Sequence, residues 1–198
     1  LQKAVAGAGA ALEPVAENPV DAIWADRLPP PRARAEPHPE RFAGRSSAEK
    51  RAELANELLA DHAAAVVLTQ PDSIAWLLNI RGSDIPRNPV PQGFAILHDD
   101  GQVALFTEPA KLDEAARAHL GEEVALAAPA DFGPALDALD GPVQLDRKSV
   151  PLWVVHRLEA AGVEIEADFT WPNGARSIYV RDPGNNSVEL AEPRLWAG

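Results

Sequence analysis

The chain has 198 residues, no cysteine and a formal net charge of −12 at pH 7. This length is enough for one domain with a sizeable core, and the lack of cysteine excludes disulfides, thiolate metal sites and a thiol nucleophile, which fits a cytoplasmic location. Nucleic acid and anionic membrane surfaces are poor partners because both require a basic face, and no apolar run approaches the ~18 residues of a membrane helix.

The N-terminal part, residues 1–45, is predicted to combine the end of an upstream domain with a proline-rich linker. The opening LQKAVAGAGAAL is typical of a helix end, because it is too rich in alanine and glycine for a signal peptide. The chain contains no methionine, even at position 1, so we expect its N-terminus to be truncated. Residues 28–39, LPPPRARAEPHP, are predicted to be an extended linker because successive prolines exclude both helix and central strand.

A folded domain is predicted over residues 46–166. Ser46 and Glu49 form an S-x-x-E capping box, and leucines at helical spacing follow it. A short apolar strand over 64–69 then leads to a second helix, which contains Trp76.

The second half of this domain alternates between short strands and helices. Strands 94–97 and 103–106 flank Asp99-Asp100-Gly101, which indicates a hairpin. The remaining elements are, in chain order, a helix over 109–120, a strand over 124–126, a helix over 132–139, a strand over 143–145, a helix over 151–161 and a strand over 163–165. This alternation predicts an α/β fold, with a mixed sheet and flanking helices.

The loop after the Trp76 helix, residues 81–91, carries the candidate interaction residues. It is stiff because proline fixes φ at three of its positions, and it holds Arg81, Asp84 and Arg87. These charges and Trp76 are candidates for contact with substrate, a neighbouring domain or a partner subunit. Two structural alternatives stay open: Trp76 is a core residue, and Arg81 pairs with Asp84 in a local salt bridge.

The tail is predicted to form a separate β-hairpin. Residues 177–181 and 187–191 alternate apolar and polar side chains on either side of the turn sequence DPGNN. The character of the sequence changes from Trp171 onward.

Several phrases of the sequence resemble the Xaa-Pro aminopeptidase (aminopeptidase P) family. WLLNIRGSDIPRNPVP, at 76–91, is similar to the middle, creatinase-like domain of these three-domain enzymes. Five further parts of this sequence resemble other parts of the same enzymes. They are NPVDAIWADRLPPP, FAGRSSAEKRAELANELLA, FAILHDDGQVALF, the lysine of PAKL and GPVQLDRKSVPLWV. The resemblance covers about residues 1–165 and implies a creatinase N-terminal-like, ribonuclease H-like fold preceded by the end of a first domain.

The same resemblance implies that the peptidase chemistry resides in another domain. In this family a third, pita-bread domain holds a dinuclear metal centre, usually manganese, through carboxylates and one histidine. The five histidines of this chain are scattered, without an H-x-x-x-H spacing, and peptide hydrolysis needs an activated water and an electrophilic stabiliser. We therefore expect a fragment without catalytic residues or cofactor of its own. Its expected partners are the missing catalytic domain, Xaa-Pro peptides in the parent enzyme and a second copy in a homodimer.

From about 158–171 onward the chain resembles the vicinal oxygen chelate superfamily, which includes glyoxalases, extradiol dioxygenases and bleomycin-resistance proteins. RDPGNNSVEL is similar to the phrase RDPxGNxxEL that often ends those chains, and its metal-ligating glutamate corresponds to Glu189. One hairpin supplies too few ligands for a metal site, so we expect Glu189 to be an exposed strand carboxylate. We interpret the chain as a chimera (natural fusion, misassembled sequence or engineered fusion) with residues 167–198 as its tail. The alternative function is an incomplete metal protein of this second superfamily.

Overall fold

The computed structural model describes residues 2–11, 15, 18–146, 149–166, 177–181 and 187–191. Its contacts divide the chain into two compact units, Leu1–Pro31 and Arg32–Gly198. The first unit contains two short helices, α1 (Gln2–Gly7) and α2 (Pro19–Ile23). Helix α2 begins after Asn18, whose side chain accepts a backbone hydrogen bond of 3.0 Å from the first turn.

A six-stranded mixed sheet forms the centre of the second unit. Its strands are β2 (Ala65–Leu68), β4 (Phe94–His98), β5 (Val103–Phe106), β6 (Val124–Ala127), β7 (Val143–Leu145) and β8 (Ile165–Glu166). They lie in the order β6-β5-β4-β2-β7-β8. Strands β2, β4 and β5 pair antiparallel, whereas β6, β7 and β8 are joined by parallel pairing. The predicted α/β fold with a mixed sheet is confirmed.

Helices cover both faces of this sheet. One face carries α4 (Ser47–Ala60), α5 (Pro71–Leu78) and α6 (Glu114–Leu120), and the other carries α7 (Phe132–Asp137), preceded by a 3-10 turn (Pro129–Asp131), and α8 (Leu152–Ala161). Each face of the sheet packs in its own apolar cluster. In strand β4, Ala95 and Leu97 belong to the cluster under α4, α5 and α6, and Ile96 belongs to the cluster under α7 and α8. This alternation follows from the two-residue period of a strand.

Local signals in the sequence set several element ends. Helix α3 (Glu40–Ala43) ends at a left-handed glycine, and the capping box predicted for α4 is present. Ser46 Oγ accepts a hydrogen bond from the Glu49 backbone N–H (3.2 Å), and the Glu49 carboxylate accepts one from the Ser46 backbone N–H (2.8 Å). The β4–β5 turn and the end of α8 use Gly101 and Gly162 at φ of 83° and 75°.

The prediction of a single helix over 109–120 is wrong, because the structure divides this segment into two elements. A 3-10 turn over Pro109–Lys111 comes first, and Leu112 then adopts an extended conformation. Helix α6 begins anew after Asp113, whose carboxylate accepts a 2.9 Å hydrogen bond from the backbone N–H of Ala116.

The extended linker predicted before Ser46 is only partly present. Ala35 is buried, and β1 (Glu36–Pro37) pairs antiparallel with β3 (Ile80–Arg81). The unit therefore begins at Arg32 rather than at Ser46. The prediction failed here because a two-residue strand leaves no periodic signal in a proline-rich stretch.

The predicted tail hairpin is confirmed. Strands β9 (Ser177–Arg181) and β10 (Ser187–Ala191) pair antiparallel, with Glu189 opposite Tyr179. Among the described strands these two form a separate sheet. None of the helices described has the length and apolarity that crossing a bilayer requires.

Candidate functional site

The candidate site surrounds the C-terminal end of helix α5. This helix starts with Pro71, which is compatible with a first turn, and ends at Leu78. Asn79 then takes a left-handed conformation with φ of 49°, which turns the chain into β3. The last carbonyls of a helix have no partner within it, so their partners define this site.

Lys50 reaches this helix end from α4. Its Nζ donates hydrogen bonds to the carbonyl oxygen of Trp76 (2.8 Å) and to Oδ1 of Asn79 (2.7 Å), and it lies 4.6 Å from the centre of the Trp76 ring. Only 2 % of the lysine surface is exposed. The Asn79 amide in turn donates to the Arg45 carbonyl at 2.8 Å. The ammonium is stabilised by the negative end of the helix dipole and by the ring face.

Arg81 is the second cation at this end. Its guanidinium donates to the carbonyl oxygens of Ala75 (3.0 Å) and Ile80 (2.8 Å). Nε2 of His119 lies 3.0 Å from the carbonyl oxygen of Leu78. The carbonyl oxygens of the last turn of α5 thus receive side chains from three different elements, α4, β3 and α6.

The local charge is positive in an otherwise acidic chain. Burial, and then the charges of Arg81 and Arg45, lower the pKa of Lys50 from its ordinary value of 10.5. Desolvation, and then the charges of Arg81 and Lys50, lower the pKa of His38. Within the described part of the chain, neither Lys50 nor Arg81 forms an ion pair with a carboxylate. The arrangement favours an anionic group, or a carbonyl dipole, brought to Arg81 from outside.

Two exposed aromatic side chains lie near this helix end: Trp76 contacts Lys50, and Phe42 contacts Arg41 and His38. Trp76 is 47 % exposed, so the alternative that placed it in the core is wrong. Phe42 is also exposed, with its ring centre 6.0 Å from that of His38 and 4.7 Å from the Arg41 guanidinium carbon. Aromatic rings next to cations are common at protein interfaces.

Asp84 has a structural position and does not pair with Arg81 as the local salt bridge alternative required. Its carboxylate lies 2.6 Å from Nζ of Lys111, and the two side chains are 0 % and 4 % exposed. The same carboxylate accepts backbone hydrogen bonds from Ala33 (3.0 Å) and Gln92 (2.7 Å). Asp84 therefore holds the loop and the segment before β1 onto the domain.

The start of the loop is closely packed at Gly82, whereas its tip is exposed. A Cβ atom at Gly82 would lie 2.9 Å from the backbone nitrogen of Pro91, so only glycine fits there without displacement. Arg87 is exposed at the loop tip, at φ of 66°. The structure thus brings together Trp76 and Arg81 and leaves Asp84 and Arg87 in other surroundings.

The residues missed from the sequence are Lys50 and Asn79, whereas Lys111, the lysine of PAKL, was noted for its resemblance to the family but not as the partner of Asp84. Lys50 stands four and eight positions before Leu54 and Leu58, on the apolar side of α4, and this position is a signal for a buried cation. Lys111 has no such signal, because its partner Asp84 is distant in the chain.

No metal site is formed by the residues that the structure describes: they include no group of three or more histidine, aspartate or glutamate side chains that could hold an ion. The weak metal candidate, Glu189, has its backbone in β10, but its side chain lies outside the described part.

The fold is a mixed α/β domain with helices on both faces of its sheet. The chain belongs to the Creatinase/Prolidase N-terminal domain family, which matches residues 26–172.

Similar proteins agree with this family. "Probable Xaa-Pro aminopeptidase P" of Coccidioides posadasii is 42% identical over 128 residues, which are 64% of this chain and 19% of that protein. A protein of the same name from Aspergillus flavus is 42% identical over 119 residues, 60% of this chain and 18% of that protein. The chain therefore spans about a fifth of the length of these relatives.

A solved structure shows the same architecture. It is the X-prolyl aminopeptidase of Caenorhabditis elegans, described as a cytosolic enzyme with a di-nuclear active site. It superposes with a TM-score of 0.64 and 25% identity, over 84% of this chain and 25% of that one.

Proposed function

We propose that this chain is the non-catalytic, creatinase-like part of an Xaa-Pro aminopeptidase, a metallopeptidase that releases the N-terminal residue from Xaa-Pro peptides. The observation that carries the proposal is the 42% identity to proteins of that name, over a region that covers only a fifth of their length. The hydrolytic centre then belongs to the remaining part. Its dinuclear metal, manganese in this proposal, has no ligand set among the residues described here.

We propose the following organisation. Residues before Arg32 are the end of an upstream domain, residues 32–166 are the creatinase-like domain, and residues 167–198 are a tail. The division of the contacts between Pro31 and Arg32 supports a boundary at Arg32. A cytoplasmic location agrees with the cytosolic nature of the Caenorhabditis elegans enzyme.

The proposed role of the domain is to contact the catalytic domain or a second subunit and so to shape the active site. Trp76 and Arg81 carry this contact, because the ring is half-exposed and the guanidinium has no carboxylate partner within the described chain. A carboxylate or carbonyl from the neighbouring domain would complete the site. Arg87 is the second candidate, at the loop tip.

A domain exchange tests this proposal. Residues 32–166 replace the corresponding region of the Caenorhabditis elegans enzyme, and release of the N-terminal residue from an Xaa-Pro peptide is measured. We expect an active, metal-dependent hybrid whose kcat/KM falls about tenfold with Arg81→Ala, a loss equivalent to one charged hydrogen bond.

The control is Arg32→Ala, which removes an exposed arginine from outside this loop. An inactive but folded hybrid would contradict the assignment, and an unchanged kcat/KM in Arg81→Ala would remove Arg81 from the contact.

A second proposal concerns the tail alone. We propose that it derives from a vicinal oxygen chelate protein, because the match to the creatinase family stops at residue 172 and a hairpin follows it. Long sequencing reads across codons 158–171 distinguish a true fusion from a misassembled sequence. Downstream codons for a pita-bread domain would assign the parent protein to the aminopeptidases.

The alternative function, a metal protein of that superfamily, makes a different prediction. It requires stoichiometric binding of manganese, iron(II) or zinc that is lost in Glu189→Gln. We expect calorimetry to show no such binding, because one glutamate supplies one ligand where three or four are needed.

A further inference from the structure

An exposed apolar patch lies at the start of helix α8. Leu152 and Trp153, the first two residues of this helix, are 52 % and 51 % exposed. Neither side chain belongs to the apolar clusters that the described residues form on the two faces of the sheet. Large apolar side chains that adjoin each other on a surface mark an interaction site, and tryptophan is enriched at the centre of such sites.

The tryptophan of this patch is held in a fixed orientation. Its ring centre lies 6.1 Å from that of the buried Phe132, which stacks on Phe94 at 4.5 Å. The guanidinium carbon of Arg157 lies 5.4 Å from the Trp153 ring centre, and two hydrogen bonds of 2.7 and 2.6 Å tie Arg157 to the Asp137 carboxylate. A ring supported in this way has little side-chain entropy left to lose when a partner binds.

The patch lies at the end of the sheet from which the chain leaves the domain. Strands β7 and β8 are parallel, with Gln144 opposite Glu166, so both strands end on the same side. Helix α8 follows β7 and returns along the sheet to the start of β8, so the first residues of α8 also lie at this end. The polypeptide that follows Glu166 therefore starts from the end of the sheet that carries Leu152 and Trp153.

The covalent order of the chain favours one occupant for the patch. The matched family is by name an N-terminal domain, its match stops at residue 172, and the chain spans about a fifth of the length of its relatives. A domain joined to the chain shortly after Glu166 has a high effective concentration at this end of the sheet, which a free partner lacks.

On the basis of the proposed function, we propose that the patch of Leu152 and Trp153 is the docking surface for the catalytic domain that follows this domain in the parent enzyme. That domain then packs at the side of the sheet that carries α7 and α8, opposite to the face that carries α5 and Trp76. Its matching surface is apolar around Leu152 and supplies a hydrogen-bond acceptor for the indole N–H of Trp153.

The test places Leu152→Asp both in the whole chain and in the domain-exchange hybrid. In the chain alone we expect a Tm within about 2 °C of the wild-type value, because Leu152 is exposed and an aspartate in the first turn of a helix is favourable. In the hybrid the new carboxylate would be buried without a partner. We expect kcat/KM to fall at least about tenfold and a protease to cleave the junction after residue 166 at least about tenfold faster, as for a lost hot spot. Trp153→Ala should give the same two changes in the hybrid.

The matched control is Leu59→Asp, because Leu59 is 55 % exposed and belongs to α4 on the other face of the sheet. In the hybrid, this control should keep kcat/KM and the cleavage rate within about twofold of the wild-type values. An active wild-type hybrid in which Leu152→Asp changes neither quantity, or changes them no more than Leu59→Asp does, would overturn the docking surface and leave the proposed function intact. A folded but inactive wild-type hybrid would contradict the proposed function and, with it, the docking surface.

Two results on the chain alone would also overturn the proposal. A Tm that Leu152→Asp lowers by more than about 4 °C would mean that the chain itself already covers the patch. A dimer in sedimentation equilibrium that Leu152→Asp abolishes would assign the patch to a second copy of the chain.

Discussion

At the scale of single residues, the buried pair of Asp84 and Lys111 is the strongest structural constraint in the candidate loop. Its two charges are removed from water, so each depends on the other. We expect Asp84→Ala to lower the free energy of unfolding by about 3–5 kcal/mol, because it leaves the Lys111 ammonium buried without a counter-charge. Urea titration measures this change.

The control is Glu53→Ala, which breaks the half-exposed pair with Arg45. Exposed pairs contribute about 0–1 kcal/mol, so this variant should be nearly neutral. An equal loss of unfolding free energy in the two variants would mean that the Asp84–Lys111 pair is solvated. Because Asp84 is structural, an alanine there cannot test the proposed domain contact, and Arg81 is the residue to replace.

Lys50 gives the second prediction, a dependence on pH. Its pKa is lowered in the folded chain, mainly by burial, so the unfolded chain binds this proton more tightly. Stability linked to Lys50 is therefore lowest at neutral pH, rises as pH passes the lowered pKa and levels off above the ordinary value of 10.5.

The measurement compares unfolding free energies of the wild type and Lys50→Met between pH 7 and about 11, a range set by the ordinary lysine pKa. The difference should shift in favour of the wild type as pH rises. A difference that is constant with pH would show that the Lys50 pKa is ordinary.

At the scale of elements, the tail hairpin and the central strand β2 differ most in how many strands support them. The β9–β10 pair is a separate two-stranded sheet among the described strands, whereas β2 pairs on both sides within six strands. An isolated hairpin is marginally stable in water. We expect amides of Ser177–Arg181 and Ser187–Ala191 to exchange hydrogen much faster than those of Ala65–Leu68, by NMR or mass spectrometry. Equal protection would mean that the hairpin docks on the α/β sheet.

The elements that the sequence predicted well are those with local signals. The capping box at Ser46, the Asp99-Asp100-Gly101 turn and the apolar strands were all identified, because a few adjacent residues determine each of them. The break at Leu112 was missed, although Asp113 is a good N-cap, since the leucine and alanine spacing continues through it.

The candidate site was predicted less well, because its contacts join distant positions. Trp76 and Arg81 were identified and do lie together at one helix end. The partners Lys50 and Lys111 come from other elements, and only the fold brings them there. Asp84 is an example. Its position three residues after Arg81 favoured a local pair, but in the fold its carboxylate is buried against Lys111, which is farther along the chain.

At the scale of the whole molecule, the chain alone should be inactive on Xaa-Pro peptides. Under the proposed function, the metal-activated water that cleaves the peptide bond belongs to the remaining part of the parent enzyme. We expect purified protein to release no N-terminal residue with or without added manganese, in a chromatographic assay of the products. The control is the same assay on the domain-exchange hybrid. Turnover that survives purification and disappears on chelation would contradict this expectation.

The contact of Asp84 with Ala33 and Lys111 also has a consequence for the order of folding. Ala33 lies 51 positions before Asp84, and Lys111 lies 27 positions after it. Closing such loops costs chain entropy before any contact is gained, so local structure such as the β4–β5 hairpin should form first. During synthesis, the segment around Ala33 leaves the ribosome well before Lys111 is added. We therefore expect this segment to dock late, and nascent chains that end before Lys111 to keep it open to proteases.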